Sequence, residues 1–139
     1  YNWGTQEVLN KYLHIYKDAV YPLVWLINSS DKENKQTKRI SRNARIVIAT
    51  KSYAKEEFNP YQFQNDFLKT LNPIKDNLIK LVRGSGVSQL IDEEFTYQFV
   101  PNYSFQDNNG TLIDVWNAIV LDLNIEVRTD YECIGIIKF

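Results

Sequence analysis

Residues 119–127 read IVLDLNIEV, and this stretch decides the fold. Ile119, Leu121, Leu123, Ile125 and Val127 occupy every second position, with Val120, Asp122, Asn124 and Glu126 between them. A period of two belongs to a strand with one buried face and one wet face. Such a strand needs partners at its sides and a cover over its apolar face. Downstream, Thr129-Asp130 turns the chain, and Cys133 to Phe139 reads as a last strand. Upstream, Asp107-Asn108-Asn109-Gly110 contains the Asn-Gly pair of a tight hairpin. Before it, Phe95 to Val100 reads as a short strand closed by Pro101.

The first half of the chain supplies the cover. Thr5 to Lys17 has one apolar face made of Val8, Leu9, Tyr12, Leu13 and Tyr16, the spacing of a helix. Val20 to Ile27 is a β-type run in which Pro22 predicts an edge position or a strand start. Asn28 to Lys38 (NSSDKENKQTK) has no apolar residue and is expected to be a solvated, mobile loop. Ile40 to Thr50 returns to β character, so the two runs form an antiparallel hairpin with an extended tip. Asn59-Pro60 is a helix start, and Phe63, Phe67, Leu68, Leu71, Ile74, Leu78, Leu81 and Val82 form a long apolar face behind it. Pro73 predicts a kink, or a second helix capped by Asn72. Gly84-Ser85-Gly86 ends the segment; it lacks the Lys and Ser/Thr of a phosphate loop and follows a helix. The order α-β-β-α-β-β-β predicts one α+β domain over residues 1–139. An antiparallel β-sheet would carry the N-terminal helix and the long central helix on one face.

Composition narrows the chemistry. Apolar residues at 44% and aromatics at 14% suit a packed core rather than disorder. The longest apolar run, Ala19 to Ile27, is too short to span a bilayer, so no membrane partner is expected. The chain opens at Tyr1 and has no Met, so residues ahead of Tyr1 are expected to be missing. One Cys (Cys133) and one His (His14) leave no internal disulfide and no Cys/His zinc site. His14 lies on the polar side of its helix, and Cys133 reads as a small core residue. The aromatics Trp25, Trp116, Phe95, Tyr97, Phe99, Tyr103 and Phe105 suit a core or a subunit interface better than a ligand pocket. No enzymatic activity, cofactor or metal is expected.

Charge is sorted by position. Residues 1–84 carry fourteen basic and eight acidic side chains, a formal +6, and residues 85–139 carry two and nine, a formal −7. The basic excess centres on Lys32, Lys35, Lys38, Arg39, Arg42 and Arg45, a candidate docking surface for phosphate or an acidic protein. No aromatic residue is interleaved there for base stacking. The acidic counterpart includes Asp92, Glu93, Glu94, Asp122 and Glu126, whose spacing matches no cation loop and which suit a docking or channel surface.

The same order of elements resembles the tail-terminator and head–tail connector proteins of tailed bacteriophages, also called tail-completion or neck proteins. The resemblance rests on VYPLVWLI (20–27), the polar hairpin, RIVIAT (45–50), the long helix, and the strand pair around YQFVPNYSF (97–105) and DVWNAIVLDLNIEV (114–127). Pro73 and the aromatic stretch 95–105 depart from the family pattern. The resemblance implies a virion part of the tail or neck, assembled in the host cytoplasm. Its copies would form a closed ring, six-fold or twelve-fold, with DNA passing through the centre. The hairpin 32–45 would dock on an adjoining neck, portal-side or tail-tube protein, and the acidic residues would face a neighbouring subunit or the channel. The alternative is a small nucleic-acid-binding accessory protein that uses the same basic hairpin.

Overall fold

The alternation at 119–127 lies inside a longer strand, β6 (Leu112–Arg128). The computed structural model describes residues 2–15, 21–27, 29–52, 60–106 and 112–129. In it β6 pairs antiparallel with β4 (Arg39–Lys51), in unbroken register from Arg39↔Arg128 to Lys51↔Trp116. On its other side β6 pairs antiparallel with β5 (Ser88–Gln106). β4 in turn pairs antiparallel with β2 (Leu23–Ile27) over Arg45 to Ala49, and with β3 (Asp31–Asn34) over Arg39 to Arg42. A short strand absent from the sequence reading, β1 (Asn2–Gly4), runs parallel to β2. The order is β1-β2-β4-β6-β5, with β3 beside β4 beyond the end of β2. Pro22 stands just ahead of β2, where its missing N–H costs no ladder bond.

The helices correct the expectation of a single covered face. Between β1 and β2 runs α1 (Gln6–Ile15), started by Thr5, whose Oγ1 accepts from the Val8 N–H at 3.3 Å. Leu9 of α1 is buried with Leu23, Trp25, Val47, Ala49, Trp116 and Ala118. The central helical run buries Phe67, Leu71 and Ile79 against Ala44, Ile46, Ile48, Ile119, Leu121 and Leu123. Neighbours along β4 and β6 alternate between these two clusters, so α1 and the central run lie on opposite faces of the sheet. The physical reason stands in the run Ile46-Val47-Ile48-Ala49, where all four side chains are buried. A continuous apolar run is the mark of a strand covered on both sides.

The central run is continuous from Pro60 to Gly84, in three parts. A first turn, α2 (Pro60–Gln62), leads into a π-helical segment (Phe63–Leu71) and then α3 (Asn72–Gly84). Asn72 does not cap a second helix: Leu71 ahead of it is itself helical (φ −76°, ψ −39°) and no side-chain cap bond forms. Pro73, near the start of α3, has no N–H to give the preceding turn, and the wider π winding fills the stretch before it. Asn117, fully buried on β6, donates from Nδ2 to Asp66 Oδ2 at 2.6 Å and ties the π segment to the sheet. After Gly84 the helix stops as expected, with Ser85 Oγ accepting from the Ser88 N–H at 3.0 Å and Gly86 at φ 67°.

Two further expectations change. Residues 31–34 are not loop but strand, and β5 continues through Pro101 rather than ending there. Pro101 is tolerated because β5 pairs only with β6 among the described strands and its register shifts between Val100 and Tyr103. The expected strand 133–139, the turn at 107–110, the cap at Asn59, the last turn of the first helix and the side chain of His14 lie outside the described residues.

Candidate interaction surface

The face of the sheet that α1 covers is apolar at one end only. Toward the ends of β4 and β6 near the β3 hairpin, the same face carries Arg45, Asn43 and Arg39 opposite Asp122, Asn124 and Arg128. Arg45 donates from Nε and Nη2 to the two carboxylate oxygens of Asp122, its register partner, at 2.8 and 3.1 Å. That pairing raises the Arg45 pKa, through the hydrogen bond first and the Asp122 charge second. Arg39 Nη1 donates to Glu126 Oε2 at 2.6 Å, and Gln89 Nε2 of β5 donates to the same oxygen at 2.8 Å. Arg42 forms a two-bond pair with Asp31 of β3 at 2.5 and 2.6 Å. The hydrogen bond from Arg42 holds the Asp31 carboxyl below its ordinary range.

The structure therefore splits both predicted charge sets. Arg39, Arg42 and Arg45 are paired within the chain, and two of their partners, Asp122 and Glu126, come from the acidic set. Lys32, Lys35 and Lys38 remain, all exposed and in no ion pair among the described residues. Glu93 and Glu94 remain likewise, exposed on β5, while the side chain of Asp92 lies outside the described residues.

The three lysines sit on or beside an ordered turn. Asn34 Oδ1 accepts from the N–H groups of Gln36 and Thr37 at 3.0 and 3.2 Å, which closes an Asx turn. Lys38 is left-handed at φ 51°, and its carbonyl accepts from the Thr129 N–H at 2.8 Å. This last bond fastens the base of the turn to the end of β6. The side-chain hydrogen bonds that close the turn are accepted by Asn34, inside a polar tract with no apolar residue.

The two glutamates sit on a bulge. Leu90 faces Ile125 and Phe95 faces Leu123, so β5 spends five steps where β6 spends two. The three surplus residues bow out of the ladder, with Glu93 at φ 54°. Beneath the bulge opens a cleft of about 240 Å³, lined by Asn43, Asp122 and Asn124 on the sheet and by Ile91, Glu94, Phe95 and Thr96 of β5. Neither bulge nor cleft was foreseen. The available signal was Asp92-Glu93-Glu94, a run without alternation just ahead of the alternating Phe95 to Val100.

β5 also bears an aromatic row facing the central run. Phe63 and Phe67 pack edge-on against Phe99, at 5.6 and 5.3 Å between centroids. The Lys75 ammonium stands 4.0 Å from the centre of the Tyr97 ring and 3.3 Å from Asp76. Tyr97 and Phe99 keep 43% and 37% of their surface exposed, so they are core on one side and open surface on the other.

No three potential metal ligands cluster, and no helix is long and apolar enough to cross a membrane, among the described residues. Comparison with family models, curated proteins and solved structures returned no match.

Proposed function

We propose that this chain is a structural assembly subunit of the tail-terminator or head–tail connector kind, acting through contacts between copies and with adjoining virion proteins rather than by catalysis. The observation that carries the proposal is the separation of unlike surfaces on one sheet. An exposed lysine-bearing turn lies at the β3 side, and an exposed glutamate-bearing bulge lies on β5 at the far side. Two different patches on one subunit are what a head-to-tail contact requires, and such contacts close into rings when the rotation allows. Opposite charge on the two patches favours that encounter over like-with-like pairing. The resemblance in element order adds the expectation of a neck or tail ring, six-fold or twelve-fold, with DNA in its centre.

The ion pairs of Arg39, Arg42 and Arg45 weigh against the alternative of a nucleic-acid binder, since half of the basic set is already neutralised within the chain. Light scattering on the purified chain, followed by electron microscopy, tests the proposal. Rings with a mass of six or twelve copies are expected. A strict monomer at every concentration that shifts DNA would overturn it in favour of the alternative.

A further inference from the structure

The proposed ring leaves open which surfaces meet, and two unmatched features answer each other. One is the turn 35–38, with Lys35 and Lys38 exposed and its backbone already fixed by Asn34 and Thr129. The other is the cleft under the β5 bulge, where Asp122 is matched by Arg45 and Glu94 has no cation among the described residues. We infer that the turn of one copy docks into the Glu94 cleft of a second copy, a lysine ammonium meeting the Glu94 carboxylate. The contact rests on the assembly reading above and specifies its interface.

The occupant has to come from another molecule. From Lys38 in the turn to Arg42 and Ala44, level with the two ends of the Glu94 bulge, β4 advances four to six residues, about 13–20 Å along the sheet, and the bulge lies two strands further across it. That distance is well beyond the reach of one lysine side chain. The cleft is polar where a lysine would need it to be: Asn43, Asn124 and Thr96 offer side-chain oxygens around the carboxylate. The turn is preorganised, so docking does not have to order a loop.

Strand edges support the same occupant. Among the described residues, β3 pairs only with β4 and β5 only with β6, so each leaves one edge open. Within the sheet β3 runs antiparallel to β4, β4 to β6, and β6 to β5, so β3 and β5 run in opposite directions. A second copy in the same orientation therefore brings its β5 edge antiparallel to the first copy's β3 edge over the length of β3 only, since β1 lies outside β2 on the same side of β4. The lysines and glutamates are then the charges that keep these edges from pairing indiscriminately and select the matched register.

Charge reversal tests the contact in the full chain. Lys35→Glu/Lys38→Glu and Glu94→Lys are each expected to weaken self-association about tenfold by sedimentation velocity. Mixing the two variants is expected to restore association to within about threefold of the original, because each supplies the surface the other has reversed. All the changed side chains are exposed, and circular dichroism checks that each variant folds. As a second measurement, Gln36→Cys and Glu94→Cys chains, both with Cys133→Ser, are expected to cross-link to each other on mixing under oxidising conditions. If the original chain assembles but charge reversal leaves its mass unchanged and no cross-link forms, the contact is overturned and the assembly reading stands. If the original chain stays monomeric, both fall. If Lys35→Glu/Lys38→Glu removes DNA binding while leaving self-association intact, the turn serves nucleic acid and the contact is overturned.

Discussion

Gly4 shows how closely the N-terminal end is fitted. Its φ is +153°, a conformation that side-chain-bearing residues rarely adopt. A Cβ there would stand 3.1 Å from Val8 Cγ1 and 3.2 Å from Trp25 Cζ2. The Gly4 carbonyl also accepts from Trp25 Nε1 at 3.2 Å, so the backbone cannot shift without loosening that bond. Gly4→Ala is therefore expected to destabilise the fold by about 1–3 kcal/mol, read as a lower urea midpoint with unchanged slope. Val8→Ala in addition should recover part of the loss by clearing the closer of the two contacts. The two tryptophans that share this cluster follow one rule. Trp25 and Trp116 are each 1% exposed, and each indole N–H finds an oxygen, Gly4 for the first and the Tyr21 hydroxyl at 2.6 Å for the second. Their burial was legible from their type and their place in apolar runs. Their partners were not, because Gly4 and Tyr21 stand 21 and 95 residues away in sequence.

At the scale of elements, periodic stretches were legible and interrupted ones were not. β2, β4, β6, α1 and the central run all follow from spacing, since each buries a regular face. The side of the sheet that each helix covers was misread because IVLDLNIEV has a wet face, and the wet face was extended to the whole strand. Upstream in the same strand Trp116 and Ala118 are buried beneath α1. β3 was missed for a different reason: its four residues are all exposed, so no hydrophobic period marks it. Its stability comes from its backbone ladder with β4, the Asn34 turn and the Arg42–Asp31 pair. That origin has a pH consequence. Arg42 lowers the folded-state pKa of Asp31 below the ordinary 3.8. A depressed carboxylate contributes stability that is fully present above the unfolded value and is lost as pH falls through the folded one. The Asp31 side-chain signals should therefore titrate with a midpoint below the ordinary value of 3.8. In Arg42→Gln the midpoint should move up toward that value. NMR titration of the two chains checks both.

Taken as a whole, the molecule spends much of its charge asymmetry internally. A formal +6 in residues 1–84 and −7 in residues 85–139 suggested two opposed surfaces, yet β4 and β6 lie side by side and cancel two cross-half pairs, Arg45–Asp122 and Arg39–Glu126. Sequence position cannot reveal such cancellation, because it depends on register, and register is set by the apolar residues of both strands. What the two charge sets leave outward is smaller and local: three lysines at the hairpin, beside the exposed Glu33, and two described glutamates on the bulge, while Lys69, Lys80 and Arg83 of the central run are exposed elsewhere. The three hairpin lysines bound what the hairpin itself can contribute to nucleic-acid affinity. Each neutralised phosphate contributes about −0.9 to the slope of log K against log salt on duplex DNA. Three free lysines allow a slope of about −2.7, whereas six free cations would give about −5.4. Binding of the full chain to duplex DNA, titrated between low and moderate salt, should therefore lose no more than the first value of slope in Lys32→Gln/Lys35→Gln/Lys38→Gln. A further loss of slope in Arg39→Gln/Arg42→Gln/Arg45→Gln would mean that the arginine pairs open on contact with DNA, and the carboxylates they release would then be expected to make binding stronger in Asp31→Asn and Asp122→Asn chains. An unchanged affinity in those chains, with no further loss of slope, fits a sheet whose arginines serve its own strands and whose hairpin offers only its lysines.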